Sequence, residues 1–310
     1  MRILLIGGNG FIGSHLQELL LPEHELFIFS RKELARPEIT SLMGEHRDLM
    51  QFRDEFKALE LDLVIDFIAY FAQDAWDLIH TFRQICPWLM LISSGDVYRS
   101  YEIFKNKEVE VDPNPSLEDG PLRRQLFPYR QADQNNAFYQ SYEKILVEQL
   151  LLGQKEFDLS IARLGAVYGE LDSQKKLSEF IHPILQNASA LPIAYSQAKW
   201  KWSRMYVKNV AAALQTMIHQ ADKAKNEIFN IAESQALSQL EMALKIKELS
   251  KWKGKVFLDD EEETLNYNFE QDILMNSHKI RQLLRFKEPF SLEQGLKNTI
   301  EYQKSQLSLA

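Results

Sequence analysis

Residues 3–13, ILLIGGNGFIG, constrain the fold of this chain more than any other stretch. An apolar run gives way to glycines three apart, Gly7, Gly10 and Gly13, and then to a helix-period segment, GFIGSHLQELLL. Glycine permits a tight strand-to-helix turn and a close helix–strand approach that side chains would block. The alternation continues downstream. LFIF (26–29), DLVIDFIAY (62–70), LMLISS (89–94) and LSIARL (159–164) read as buried strands, with LMQFRDEFKAL and AWDLIHTFRQI as helices between them. Apolar runs that are continuous rather than alternating, and separated by helices, imply a parallel sheet covered on both faces. Right-handed crossovers make such a sheet doubly wound, with ligands at the carboxyl ends of its strands.

After ARLGAVYGELD the pattern changes. Helical segments such as KKLSEFIHPILQN and LSQLEMALKIKELSK mix with isolated strands, and NEIFNIAE (226–233) threads back to the sheet. The expected fold class is α/β. A Rossmann-type doubly wound parallel sheet would span residues 1–165 plus about 205–233, and a smaller, mostly helical substrate lobe about 166–204 and 234–310. The acidic stretch LDDEEETLNYNFEQD (258–272) reads as a solvated loop face.

Bulk properties narrow the function. Forty-four acidic against 36 basic residues give a net charge of −8, which repels polyphosphate and argues against nucleic-acid binding. The single cysteine, Cys86, excludes an internal disulfide framework and reads as a buried small apolar residue. The opening apolar run is too short for a signal-peptide core, and no later run has membrane-spanning length. A cytoplasmic protein without a membrane partner is expected.

A helix N-terminus behind a glycine loop offers free N–H groups and partial positive charge to a pyrophosphate. Gly7, Asn9, Gly10, Phe11, Ile12 and Gly13 are therefore expected to bind a dinucleotide. At the end of the second strand, where NAD binders place a carboxylate, IFSRK supplies Ser30 and Arg31. Serine plus arginine suits a 2′-phosphate, so NADP is expected ahead of NAD, with Glu33 close by keeping NAD open. No metal is expected.

The GxxGxxG spacing resembles the short-chain dehydrogenase/reductase superfamily in its extended branch, the NAD-dependent epimerase/dehydratase family. Further segments agree in order: HRDLMQ, DFIAYF, LISSGDVY, ARLGAVYG, SRMYVKNVAAAL and the closing SLEQGLKNTIEY. The resemblance places Asp48 and Leu49 by the adenine, and Ile68 and Ala69 along the cofactor cleft. It assigns Ser94 to polarise the reacting oxygen, Ser93 to the cofactor or the core, and Lys144 to the nicotinamide ribose. It also implies a small-molecule substrate and a homodimer through residues 72–84 and 136–152.

One departure stands out. NNAFYQSYEKILVEQLL (135–151) reads as a single amphipathic helix, so Gln140 points where Lys144 points and occupies the place of the family's tyrosine. Tyr139 and Tyr142 are rotated away at about 100° per residue, and glutamine cannot shuttle a proton at neutral pH. The chain thus resembles an atypical bacterial subgroup lacking that tyrosine. Two substitutes are available. Asp96 falls where the dehydratase branch carries an acid, although Gly95 stands at the position of its second acid; Tyr129 could reach in from a loop.

On the substrate side, AKWKWSRMYV (198–207) reads as a strand with Trp200 and Trp202 on one face. Trp202 replaces the arginine that grips a diphosphate in the family's nucleotide-sugar enzymes, and Arg204 lies two places off. Arg123, Arg124 and Arg130 lie in a loop expected to roof the cleft. The expected activity is an NAD(P)-dependent oxidoreductase or epimerase/dehydratase acting on a small polar or sugar-like substrate, with a non-standard proton-transfer residue. The alternatives are a catalytically degenerate NAD(P)-binding regulator or scaffold, and an RNA-binding relative.

Overall fold

The computed structural model describes residues 1–106, 110–113, 115–260 and 267–307. Its strands in chain order are β1 (Arg2–Ile6), β2 (Glu25–Ser30), β3 (Thr40–Met43), β4 (Leu63–Asp66), β5 (Trp88–Ser94), β6 (Asp158–Leu164), β7 (Ala166–Tyr168), β8 (Ala190–Ala194), β9 (Arg204–Tyr206), β10 (Ile228–Ile231) and β11 (Lys255–Asp259). Seven of them form one sheet in the order β3-β2-β1-β4-β5-β6-β10, and every pairing in it is parallel. The order reverses at β1, so a crevice opens beyond the carboxyl ends of β1 and β4.

The first strand shows why its sequence is apolar without alternation. Ile3 and Leu5 belong to a core with Leu16 and Leu20 of α1 (Phe11–Leu20), whereas Leu4 and Ile6 belong to a core on the opposite face. Each of these four β1 side chains is fully buried, a contribution of about 1.5–3 kcal/mol apiece. Helix α2 (Arg53–Ala58) contributes Phe56 to the second core, and α3 (Ala72–Phe82) contributes Leu78 and Phe82. Helix α4 (Arg99–Lys105) follows β5.

Four local expectations need correcting. The run 62–70 is a strand only to Asp66, because the Asp66 carboxylate accepts the N–H groups of Ile68 and Ala69, each at 2.7 Å, and turns the chain. The segment 198–207 is a strand only at Arg204–Tyr206; the Trp200 indole N–H instead donates to the Gln271 carbonyl at 2.8 Å. β3 was not expected, since TSLM carries little apolar signal and forms an edge. The acidic stretch falls partly at 261–266, outside the described residues.

The fourth correction matters most. Residues 135–151 are two helices, α5 (Ala137–Ser141) and α6 (Lys144–Gly153). Between them Tyr142 (φ −59, ψ 120) and Glu143 (φ −159, ψ 93) leave the helical region. The Glu143 N–H donates to the Tyr70 carbonyl at 2.9 Å, and its carboxylate accepts from Ile145 N at 2.9 Å and Phe127 N at 2.5 Å. The same carboxylate pairs with the Arg123 guanidinium at 2.9 Å, the two side chains being 0% and 1% exposed. A fully buried, multiply bonded carboxylate outweighs the preference for one continuous helix. Among the described residues no helix is long and apolar enough to cross a membrane. Helices α7 (Ser178–Leu185) and α8 (Val207–His219) follow, α7 packing into a third core with Leu191 and Met242.

Candidate active site

The glycine loop lies at the mouth of the crevice. Gly7 has φ +75, and a Cβ there would stand 2.7 Å from the Ile68 side chain; one on Gly13 would stand 2.2 Å from the Gly8 carbonyl oxygen. Gly10 is the N-cap of α1 and offers no side chain to its first N–H groups. Asn9 ties the loop to the end of β2, donating to Ser30 Oγ at 2.8 Å and to the Lys32 carbonyl at 3.1 Å. Its Oδ1 is buried without a partner. Uncapped N–H groups for phosphate oxygens and an orphaned acceptor for a hydroxyl fit a dinucleotide. Phe11 and Ile12, the first residues of α1, are half-buried beside this loop.

Other expected cofactor contacts are placed less evenly. Arg31 and Lys32 are exposed past β2, while the Ser30 hydroxyl donates to the Lys32 carbonyl at 2.7 Å. Ile68 and Ala69 flank the crevice across from Gly7. Asp48 and Leu49 lie on a 3-10 turn, His46–Phe52; Leu49 is fully buried in the core, and Gln51 donates to the Asp48 carboxylate at 3.3 Å. Ser93 faces the core, its hydroxyl donating to Glu148 at 2.5 Å. Glu148 in turn pairs with Arg163 at 2.7 Å, so the Lys144–Glu148 spacing is no surface salt bridge. Sequence reasoning missed His46, whose Nε2 lies 2.7 Å from Asp66 Oδ2 below the crevice. Burial pushes this imidazole down, but Asp66 and Asp74 outweigh it and hold it above its ordinary pKa.

Lys144 opens α6 with its ammonium buried between β5 and the turn that follows β4. It donates to the Ala69 carbonyl at 2.7 Å and the Ile92 carbonyl at 2.8 Å, and sits 4.7 Å from the Tyr70 ring centroid. Two of its three N–H donors are thereby engaged. Burial lowers its pKa to about 8, against the pull of Asp66 and Asp96.

Asp96 occupies the turn after β5 and is 6% exposed. The Tyr142 hydroxyl donates to its Oδ2 at 2.8 Å and the Tyr129 hydroxyl to the same atom at 2.9 Å, while Oδ1 is buried without a partner. Tyr101 backs Tyr129, hydroxyl to hydroxyl, at 3.1 Å. Burial raises the Asp96 pKa; Arg123, Tyr142, Tyr129 and Lys144 moderate the rise. Burial and then the Asp96 charge hold the Tyr142 phenol well above its ordinary range, with the Ser94 hydroxyl bonded to it in opposition. Ser94 also accepts the Asp96 N–H at 3.2 Å.

Tyr142, which helical geometry had turned away, is therefore the tyrosine beside Ser94 and Asp96. Gln140 lies outside, its amide donating to the carbonyls of Arg130 at 3.1 Å and Asp133 at 3.2 Å. Arg123 does not face a substrate: it is buried on Glu143, and its Nε donates to the Asp96 carbonyl. Arg124 and Arg130 are exposed. A second acid at Gly95 would require the Met275 side chain to shift, since a Cβ there would stand 2.5 Å from Met275 Sδ.

A family model described as the NAD dependent epimerase/dehydratase family matches residues 123–232. A Methanocaldococcus jannaschii protein provisionally named UDP-glucose 4-epimerase is 26% identical over 335 residues, covering 98% of each chain. UDP-glucose 4-epimerase from Thermotoga maritima, solved with UDP-glucose, is similar with a TM-score of 0.71 at 17% identity, over 99% of this chain and 100% of that one. UDP-glucuronic acid 4-epimerase from Bacillus cereus, solved with UDP-glucuronic acid and NAD, reaches 0.75 at 16% identity, over 99% and 100%. At these identities the two structural likenesses concern the fold alone.

Proposed function

We propose that this chain is a member of the NAD-dependent epimerase/dehydratase family and uses NAD(P) to epimerise or dehydrate a sugar-like substrate, Tyr142 and Asp96 moving the proton. The observation that carries this reading is the Ser94–Tyr142–Asp96 cluster at the end of β5, on the same sheet edge as the glycine loop and Lys144. The names and ligands of the Methanocaldococcus, Thermotoga and Bacillus proteins support the substrate class.

When bound, the nicotinamide would supply a hydride acceptor and donor. The chain supplies the rest. Ser94 polarises the reacting oxygen. The Tyr142 phenol takes a proton from the substrate hydroxyl while passing its own to Asp96 across 2.8 Å. Because the phenol is held well above its ordinary pKa, this is a concerted relay rather than attack by a standing phenolate. Burial lifts Asp96 toward the working range of a general base. Tyr129 holds the same carboxylate oxygen, and Lys144 keeps one N–H for the nicotinamide ribose. The scaffold alternative drew on Gln140 alone, and Tyr142 takes that support away.

The exposed Arg31 and Lys32 support NADP over NAD. NADPH is expected to bind about 10–100-fold more tightly than NADH, the equivalent of one or two charge-assisted hydrogen bonds, with Arg31→Ala removing most of the difference. Tryptophan-fluorescence titration measures both. Preferential NADH binding would refute the 2′-phosphate assignment, and binding of neither would refute the whole cofactor reading. We also propose the substrate lobe at about 166–204 and 234–310, and a homodimer through α3 and α6, on which Trp76 and Leu152 are 47% and 53% exposed.

Lys144 gives the rate a pH limit. Its ammonium is the acting form, and that form is lost as pH rises through about 8. Turnover is expected to fall on the alkaline side of about 8, and Lys144→Arg to move that limb upward because guanidinium keeps its proton. A pH–rate profile for Lys144→Arg identical to the parent's would exclude Lys144 as the titrating group.

A further inference from the structure

We infer that His46, Asp74 and Asp77 hold a divalent transition cation, with Asp66 fixing the imidazole from behind. None of the four belongs to the Ser94–Tyr142–Asp96 cluster. His46 opens the 3-10 turn that ends at Phe52, and Asp74 and Asp77 stand three apart on α3, on one face of the helix. One ring nitrogen of His46 and one carboxylate oxygen from each of the two aspartates all lie within 4.8 Å of one another. The imidazole is built as a ligand. Its Nε2 lies 2.7 Å from Asp66 Oδ2, and Asp66 Oδ1 is fixed by the Ile68 and Ala69 N–H groups. With the Nε2 proton donated to that carboxylate, the lone pair is left on Nδ1. Carboxylate–imidazole pairs of this kind orient metal-bound histidines and raise their basicity.

Nδ1 is buried without a hydrogen-bond partner, in a side chain only 10% exposed. It faces Asp74 Oδ1 at 3.4 Å. That is too long for a good hydrogen bond, and close to the edge of a tetrahedron built on metal–ligand bonds of about 2.1 Å. Asp74 turns this oxygen to the imidazole because its Oδ2 caps α3, accepting from Tyr70 N at 2.7 Å and Phe71 N at 2.9 Å. Charge favours a cation as well. The carboxylates of Asp66, Asp74 and Asp77 all act on His46. Asp66 and Asp74 also act on Lys144, whose ammonium bonds the Ala69 and Ile92 carbonyls instead. Even a protonated imidazole together with Lys144 sets two positive charges against three negative ones. A divalent ion on a neutral imidazole, together with Lys144, matches the three carboxylates and removes a costly buried excess. One nitrogen with carboxylate oxygens suits Zn²⁺ better than Mg²⁺, which sheds its water reluctantly. The ion would pin the turn carrying Asp48 and Leu49 to α3, beside the crevice wall formed by Ile68 and Ala69.

A second group, Glu23, His24 and His219, has similar spacing, but the Glu23 and His219 side chains are 56% and 41% exposed. Calorimetric titration of the chelator-treated full chain with Zn²⁺ tests the His46 site, in a His219→Gln background that silences this second group. One Zn²⁺ per chain is expected, bound at least tenfold more tightly than Mg²⁺. His46→Gln should abolish that binding. Asp77→Asn is the safer variant, because Asp77 is half-buried and bonds Gln73 of its own helix at 2.9 Å. It should weaken Zn²⁺ tenfold or more while circular dichroism shows the parent's fold. Absence of stoichiometric Zn²⁺ binding, Mg²⁺ binding as tight as Zn²⁺, or an unchanged Zn²⁺ affinity in Asp77→Asn would each overturn the site.

Discussion

Tyr142→Phe and Asp96→Asn are each expected to lower turnover by about 10²–10⁴-fold, the usual cost of removing a positioned acid–base group, with NADPH affinity expected to stay at the parent's value. The two act as one unit: the phenol donates to Asp96 Oδ2 at 2.8 Å, so a proton leaving the substrate through Tyr142 needs Asp96 to receive the next. Loss of either breaks the same relay, and the double variant is expected to be little slower than the worse single one. Tyr129→Phe removes only a second hydrogen bond to that oxygen and should cost much less. Stopped-flow absorbance of the reduced nicotinamide measures all four variants. Near-parental turnover in Tyr142→Phe would discard the relay.

The second large effect is on stability. Glu143→Ala is expected to cost about 3–5 kcal/mol, because it strands the buried Arg123 guanidinium and leaves the Phe127 and Ile145 N–H groups without their acceptor. Urea denaturation followed by circular dichroism measures this loss. Glu143→Gln, which keeps the acceptor but not the charge, should fall between. The site suffers with the fold, since Glu143 sets the extended backbone that aims Tyr142 at Asp96. A loss below about 1 kcal/mol in Glu143→Ala, the level of an exposed pair, would show that the break between α5 and α6 is not held by this carboxylate.

Much of the fold was legible because the signals were local. Glycines three apart behind a fully apolar strand predict a cofactor crevice, and Gly7 and Gly13 adopt shapes that a Cβ would obstruct. The long apolar runs became strands because both sheet faces are covered. Asp96 and Tyr129 were legible as candidates, and the fold brings them within 2.9 Å of each other. Tyr142 was not legible. Helical periodicity runs unbroken through Phe138, Tyr142, Ile145 and beyond, and the residue that interrupts it, Glu143, does so through Arg123, twenty places away in sequence. Trp202 misled in a related way: read as a strand residue, it stands before β9, and its cationic neighbours come from Arg204 and from Lys176 on a different segment. Local pattern predicts elements; contacts between distant residues decide where the elements stop.

The most direct measurement is turnover of Gln140→Tyr alone and in the Tyr142→Phe background. Gln140 lies outside the cleft on the Arg130 and Asp133 carbonyls, so a tyrosine there should leave the parent's turnover unchanged and should not rescue Tyr142→Phe. Recovery of the Tyr142→Phe defect by Gln140→Tyr would mean that residue 140 follows the helical register of Lys144, and would contradict the break that places Tyr142 at the reacting centre.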